Sequence, residues 1–333
     1  MTTRATTVAV IVVLVVGGAA MLVAGASPLA GFAALLTGSL RGPHEIGETL
    51  LQTAALLFPA LGVALAFRAG LFNIGAEGQL LLGGLAAGVI GALTAFPGWA
   101  EIPLLLLAGA CAGGAWAAIA GFARARFGAN EVIATLMLNV VATLLAGYLV
   151  AGPLKLPGAV SGETPPIATS AYLPVLIPQT RATLGILIAI TLAGVMQVTI
   201  ARTVFGYELR AVGANPEAAR RAGINVAQTT FLAMTFSGAI AGIGGAAFVL
   251  GVLHRFNTSL SPGYGFIGIA VALVGGLDPL RIVAAALVFG ILQSGAIAMQ
   301  AEAHVPRDVV TIIEGLLIVV LAGGRYRSVL AHR

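Results

Sequence analysis

Residues 78–123, GQLLLGGLAAGVIGALTAFPGWAEIPLLLLAGACAGGAWAAIAGFA, contain a single charged side chain, Glu101. A helix crosses a bilayer with roughly 20 mostly apolar residues. The stretch therefore reads as two spans, 78–96 and 104–122. Lipid leaves no backbone group free to bond water, and runs this long fit helices rather than the shorter strands of a barrel. Working outward, further stretches free of Asp, Glu, Lys and Arg occupy 5–40, 49–67, 132–154, 182–201, 222–254, 256–277 and 282–301, and 308–322 is interrupted by Glu314. The helices expected from them are 8–26, 50–67, 78–96, 104–122, 132–151, 182–201, 228–251, 262–276, 282–300 and 308–322. The fold class is an all-α, polytopic membrane protein of about ten transmembrane helices, forming one membrane domain over 1–333.

Composition agrees. Hydrophobic residues make up 59% of the chain and charged residues 9%, against about 25% charged in soluble domains. Mean hydropathy is +1.03. The single Cys111 excludes an internal disulfide and a multi-cysteine metal site. His44, His254, His304 and His332 form no ligand pair of the HExxH kind, so no metal site is expected. Residues 262–276 carry Gly263, Gly265, Gly268, Gly275 and Gly276 and read as a broken or partly re-entrant helix. The first segment, with Arg4 and Ala24-Gly25-Ala26, has features of a signal peptide. Its apolar run exceeds the usual 7–15 residues, so a retained helix is expected.

Charge sets the orientation. With ten spans and the N-terminus inside, 12 of the 17 basic residues fall on the cytoplasmic side, and Arg41, Lys155, Arg181, Arg255 and Arg307 fall outside. This bias predicts N-in and C-in, with short cytoplasmic tails at 1–7 and 323–333. It explains the formal charge of +5 without a nucleic-acid partner.

Two loops stand out. The outer segment 152–181 carries Pro153, Pro157, Pro165, Pro166, Pro174 and Pro178, which oppose a continuous helix. It suits a contact surface for an external partner or an irregular cap over the helices. The inner loop 202–227 contains a punctuated short helix. Asn215 can cap it, Pro216 suits its first position, Glu217 complements the helix dipole, and Gly223 suits the left-handed stop. About seven residues of helix are marginal alone in water, so it docks on this chain's own inner surface or on a cytoplasmic partner.

No Walker A motif is present, since the only lysine, Lys155, is followed by Leu156. An ion gradient would call for ionisable groups in the membrane. Glu314 lies in the last span, and Glu77 and Glu131 lie at inner span ends. Glu314 is either a pathway residue or a packing carboxyl bonded to a neighbouring helix. An ion-coupled secondary transporter is the alternative that these residues leave open. An intramembrane enzyme would need a Ser–His pair or paired carboxylates in the spans, and the sequence offers none, so no catalytic residue is assigned. Asn73, Glu77 and Gln79 before the third span, and Asn139 inside the fifth, either line a polar route or cap and bridge helices. The spacings Gly84–Gly88 and Gly238–Gly242 predict close helix packing.

Four blocks carry a family resemblance. They are Gly70-Leu71-Phe72-Asn73-Ile74-Gly75-Ala76-Glu77-Gly78-Gln79, Ala129-Asn130-Glu131 through Asn139, Gly206-Tyr207-Glu208-Leu209-Arg210 through Gly223, and Val274-Gly275-Gly276-Leu277-Asp278-Pro279. Together, over roughly 50–323, they resemble permease subunits of ATP-binding-cassette importers for nucleosides and simple sugars, which are related to branched-chain amino acid permeases. The resemblance implies a cytoplasmic ATPase carrying ATP and Mg, with no cofactor in this chain. It also implies an external substrate-binding protein and a second permease subunit, a heterodimer being favoured over a homodimer. It places Glu217, Ala218, Ala219, Arg220 and Gly223 in a coupling helix against the ATPase. It further implies two halves in inverted orientation, of which the sequence holds only faint echoes.

Overall fold

The computed structural model describes residues 14–306, 308–316 and 319. Among these residues the chain is helical apart from turns and two isolated bridges. In chain order the helices are α1 Leu14–Val23, α2 Pro28–Leu40, α3 Pro43–Arg68, α4 Ala76–Leu93, α5 Gly98–Phe127, α6 Glu131–Ala151, α7 Gly185–Arg202, α8 Val204–Ala214, α9 Pro216–Arg221, α10 Val226–Phe248, α11 Tyr264–Val274 and α12 Pro279–Ala303. A π-helical turn, Val249–Leu253, extends α10, and residues 308–316 are again helical.

Seven of these helices are long and apolar enough to cross a membrane: α3, α4, α5, α6, α7, α10 with its π turn, and α12. An eighth span results if α1 and α2 are counted as one. The expected count of about ten is therefore somewhat higher than the described residues show. Of the predicted span 8–26, residues 8–13 lie outside the described residues; the rest ends close to its expected end, before Gly25 at φ +77°, and Pro28 starts a further helix, not expected, bent 113° away. The predicted span 262–276 shrinks to the 11 residues of α11, about 16 Å at 1.5 Å per residue, half of a hydrocarbon layer. The predicted span 308–322 and the predicted tails lie partly or wholly outside the described residues.

Burial sorts the helices into layers. The apolar segments of α3, α4 and α10 are largely buried, whereas no more than about a third of those of α5, α6 and α7 is buried. On α6, Ile133, Met137, Val140, Val141, Leu144 and Tyr148 face outward. An apolar surface on the outside of a helical bundle is what lipid or a membrane partner demands. A second, smaller core joins Met21, Leu35, Met299, Val309 and Ile313, and so ties α1 and α2 to α12 and residues 308–316.

The central helices approach closely because their contact residues are glycines. A Cβ at Gly242 would overlap the Gly109 carbonyl of α5, and one at Gly245 would overlap the Leu80 carbonyl of α4. Gly84 and Gly238 belong to the same seam: a Cβ at 84 would meet Leu260 Cδ1 at 2.6 Å, and one at 238 would overlap Gly113 of α5.

The outer segment is sewn to the end of α10. Thr164 N–H donates to the Phe256 carbonyl at 3.0 Å, Ile167 N–H to that of His254 at 2.9 Å, and Leu173 N–H to that of Leu250 at 3.0 Å. Arg255 pairs with Glu163 at 2.9 Å. Tyr172 stacks on His254, with ring centroids 3.7 Å apart. Burial holds the His254 imidazole below its ordinary pKa. These contacts make 163–173 a cap over the helices.

Candidate functional site

Two sites emerge: a polar break between α3 and α4, and a projecting helical knob at the end of the bundle that carries Arg68.

The break begins where α3 stops. Gly70 takes φ +74°, its N–H donates to the Phe67 carbonyl at 3.0 Å, and the Leu71 N–H donates to that of Ala66 at 3.1 Å. This pair of bonds satisfies the last carbonyls of the helix and needs a left-handed residue. The chain then runs without helix to Ala76, and its freed backbone groups must find partners. Asn73, fully buried, supplies some. Its Nδ2 donates to Gln79 Oε1 at 2.9 Å and to Ser237 Oγ at 2.7 Å, while its Oδ1 accepts from Gly75 N at 2.9 Å and Gln79 Nε2 at 3.0 Å. The Ser237 hydroxyl in turn donates to the Gly62 carbonyl at 2.6 Å. The amide of Asn73 thus uses all four of its bonding positions and links α3, α4 and α10.

From the other side α6 closes the break. Asn139 Oδ1 accepts from Gly78 N at 2.9 Å, and its Nδ2 donates to the Ile74 carbonyl at 2.8 Å. Thr135 Oγ1 accepts from Ile74 N at 3.3 Å. Glu77, on the first turn of α4, reaches across to α11. Its Oε2 accepts from Gly265 N at 2.7 Å. This bond satisfies one of the unpaired amides at the start of α11, and a carboxylate is favoured at that helix end. Only glycine fits at 265, since a Cβ there would overlap the Glu77 backbone. Two helices thus begin side by side inside the bundle.

The structure brings Asn73, Glu77, Gln79 and Asn139 into one neighbourhood and leaves Glu314 apart. Glu314 Oε1 accepts from Gln293 Nε2 of α12 at 2.9 Å, within the smaller core. Sequence reasoning missed Ser237, Thr135 and Gly265. Each is a small residue in an apolar helix, and its partner lies far along the chain. It also missed the pair Arg181–Glu48. Opposite charges flanking the predicted spans 182–201 and 50–67 could have signalled that one.

The knob is α8 with α9. Asn215 Oδ1 accepts from Glu217 N and Ala218 N, both at 3.0 Å. Gly223 takes φ +84°; its N–H donates to the Arg220 carbonyl at 3.1 Å, and Ile224 N–H to that of Ala219 at 3.1 Å. Glu217 pairs with Arg220 at 2.8 Å and Arg221 at 3.6 Å. Ala219 is buried, whereas Glu217, Ala218, Arg220 and Gly223 are exposed. The knob rests on the turn after α3, where Gly213 lies against Arg68 and Gly70. Arg68 Nε donates in turn to the Leu277 carbonyl, at 3.0 Å, beyond the end of α11. Thus α9, the polar break and α11 form one connected series of contacts.

Comparison with known proteins supplies the identity. The family described as the branched-chain amino acid transport system permease component matches residues 46–322. The guanosine ABC transporter permease protein NupP of Bacillus subtilis is 38% identical over 95% of this chain and 91% of its own length. The glucose ABC transporter permease protein TsgB13 of Haloferax volcanii is 34% identical over 94% and 85%. The nucleoside ABC transporter permease protein NupB of Lactococcus lactis is 33% identical over 95% and 89%. No solved structure matches. With its apolar helices, its outward apolar faces and a family match over most of its length, the chain belongs to the branched-chain amino acid transport system permease family and is a multi-pass protein of the cell membrane.

Proposed function

We propose that the chain forms part of the translocation pathway of an ATP-driven importer for a nucleoside or a related sugar-containing solute, with ATP hydrolysed by a separate cytoplasmic chain. The observation that carries this reading is the similarity to NupP and NupB along nearly their whole lengths. The knob supports it physically. A six-residue helix, capped at both ends and bearing exposed charges, is a rigid protrusion suited to receive force from a partner. Its contact with the turn after α3, and the bond from Arg68 there to the Leu277 carbonyl, offer a route for that force into the bundle. The basic end then faces the cytoplasm, with N-in and C-in.

The relatives also argue for a second, different permease. This chain is 38% identical to NupP and 29% to NupQ of the same Bacillus, and 33% identical to NupB and 28% to NupC of the same Lactococcus. In each organism the chain resembles one named permease more than the other, and such a division fits a heterodimer. An external binding protein delivers the solute in this scheme. The test is reconstitution of the chain with a second permease, the ATPase and the binding protein in vesicles. ATP-dependent uptake of guanosine or a monosaccharide is expected. Gradient-driven uptake by this chain alone, indifferent to ATP, would overturn the reading.

A further inference from the structure

At the end opposite the knob, a cavity of about 480 Å³ opens between the end of α2, the start of α3 and the end of α12. Small-molecule sites occupy about 300–1,000 Å³. Its charged lining consists of Arg41, His44, Glu45, Glu48, Arg181 and Glu302. Glu48 is fixed in place. Arg181 donates from Nε to Oε1 at 2.7 Å and from Nη2 to Oε2 at 2.5 Å, and the Glu48 side chain keeps only 11% of its exposure. A planar fork of this kind holds both partners in one orientation.

We infer that this cavity is a binding site for the sugar part of an uncharged, polyhydroxylated solute. The inference rests on the proposed function and adds the solute contact. Each sugar hydroxyl donates one bond and accepts others, so it is satisfied best where carboxylates and guanidinium groups stand together. Among the described residues, three carboxylates stand against two guanidinium groups, which disfavours a phosphorylated solute, whose charge would meet excess negative charge. Among the described residues no Phe, Tyr or Trp lines the cavity, so these offer no ring on which a base could stack. Selectivity here falls on the sugar and on the absence of phosphate.

The test uses the whole importer carrying Ala301→Cys, an exposed position on the cavity wall, in a Cys111→Ala background. A membrane-impermeant maleimide added to intact cells is expected to label residue 301. Guanosine and ribose should slow that labelling by the factor 1 + [L]/Kd, roughly fivefold at about four times Kd. Guanosine monophosphate should not. Glu302→Gln, at an exposed side chain whose loss leaves the core untouched, should abolish the protection. Labelling indifferent to guanosine and ribose, or slowed equally by the monophosphate, overturns the inference. ATP-driven uptake, measured on the same cells, keeps the two claims apart. Uptake without protection removes the cavity site and leaves the importer standing. Absence of uptake for every nucleoside and sugar removes both.

Discussion

Residues 238–246 of α10, GAIAGIGGA, and residues 216–223 around α9, PEAARRAG, both contain several alanines and glycines, yet they are held by opposite means. The α10 segment has no polar cap nearby and is stabilised by what presses on it. Gly242 lies against α5, Gly244 against Phe58 of α3, and Gly245 against α4. The α9 segment buries only Ala219 and is stabilised by its ends, through Asn215 at one and Gly223 at the other. Small residues therefore mean tight contact in the first case and a compact exposed knob in the second. A fixed centre and a projecting handle suit the proposed importer, in which a separate cytoplasmic chain supplies the force.

The sharpest way to break this contrast is to add bulk to each region. Gly245→Leu would drive a side chain into the Leu80 carbonyl. Overpacking typically costs about 1–3 kcal/mol, and the collision here is with backbone, so a loss at or above that range is expected, read as a large drop in melting temperature in detergent. Ala218→Leu on the exposed face of α9 should stay within about 0.5 kcal/mol of the native chain. Equal melting of the two variants would show that the α4–α10 contact is not close.

Next in size is Asn73→Ala. Removing the amide leaves Gln79 and the Gly75 N–H buried without their partner, at a cost of about 1–3 kcal/mol. Melting should fall, and solute selectivity should not change. Unchanged melting with altered selectivity would make Asn73 a pathway residue rather than a clamp.

These two sites also show what the sequence could reveal. The existence and rough bounds of the long spans were legible, because lipid imposes a 20-residue apolar run wherever a helix crosses. The structure returns 131–151 for a predicted 132–151 and 279–303 for a predicted 282–300. The ends of α9 were legible for a different reason: Asn215, Pro216 and Gly223 act on their immediate neighbours. Hydropathy placed one helix, 8–26, in the segment 5–40 and gave no sign of α2, which Pro28 starts after the left-handed Gly25. For 262–276 the glycines signalled a broken or partly re-entrant helix, and α11 is indeed only 11 residues long, too short for the full span also counted there. The clamp itself was beyond reach. Asn73 and Gln79 were visible as polar residues together, but Ser237 lies 164 positions away from Asn73.

A smaller effect is expected from Asn215→Ala, which removes both cap bonds of α9. Loss of such a cap costs about 0.5–2 kcal/mol. Because α9 lies outside the packed core, the loss should stay local. Hydrogen exchange over 216–222 should accelerate by the corresponding factor while α10 keeps its protection. Acceleration spreading into α10 would mean that knob and bundle unfold as one unit.

The smallest effect on stability, and the most informative about coupling, belongs to Glu217→Gln. The carboxylate pairs with Arg220 and Arg221 on a surface where all three side chains are more than half exposed. Exposed pairs contribute about 0–1 kcal/mol, so melting and membrane insertion should match the native chain. If α9 receives force from an ATPase, the same substitution should still lower ATP-driven uptake, because it changes the charge that the partner meets. An Arg220→Gln variant should behave alike, and the double variant should lose less than the sum of the two, as groups sharing one contact do. Full uptake in both single variants would leave α9 a capped ornament of the inner surface and move the coupling contact to α8.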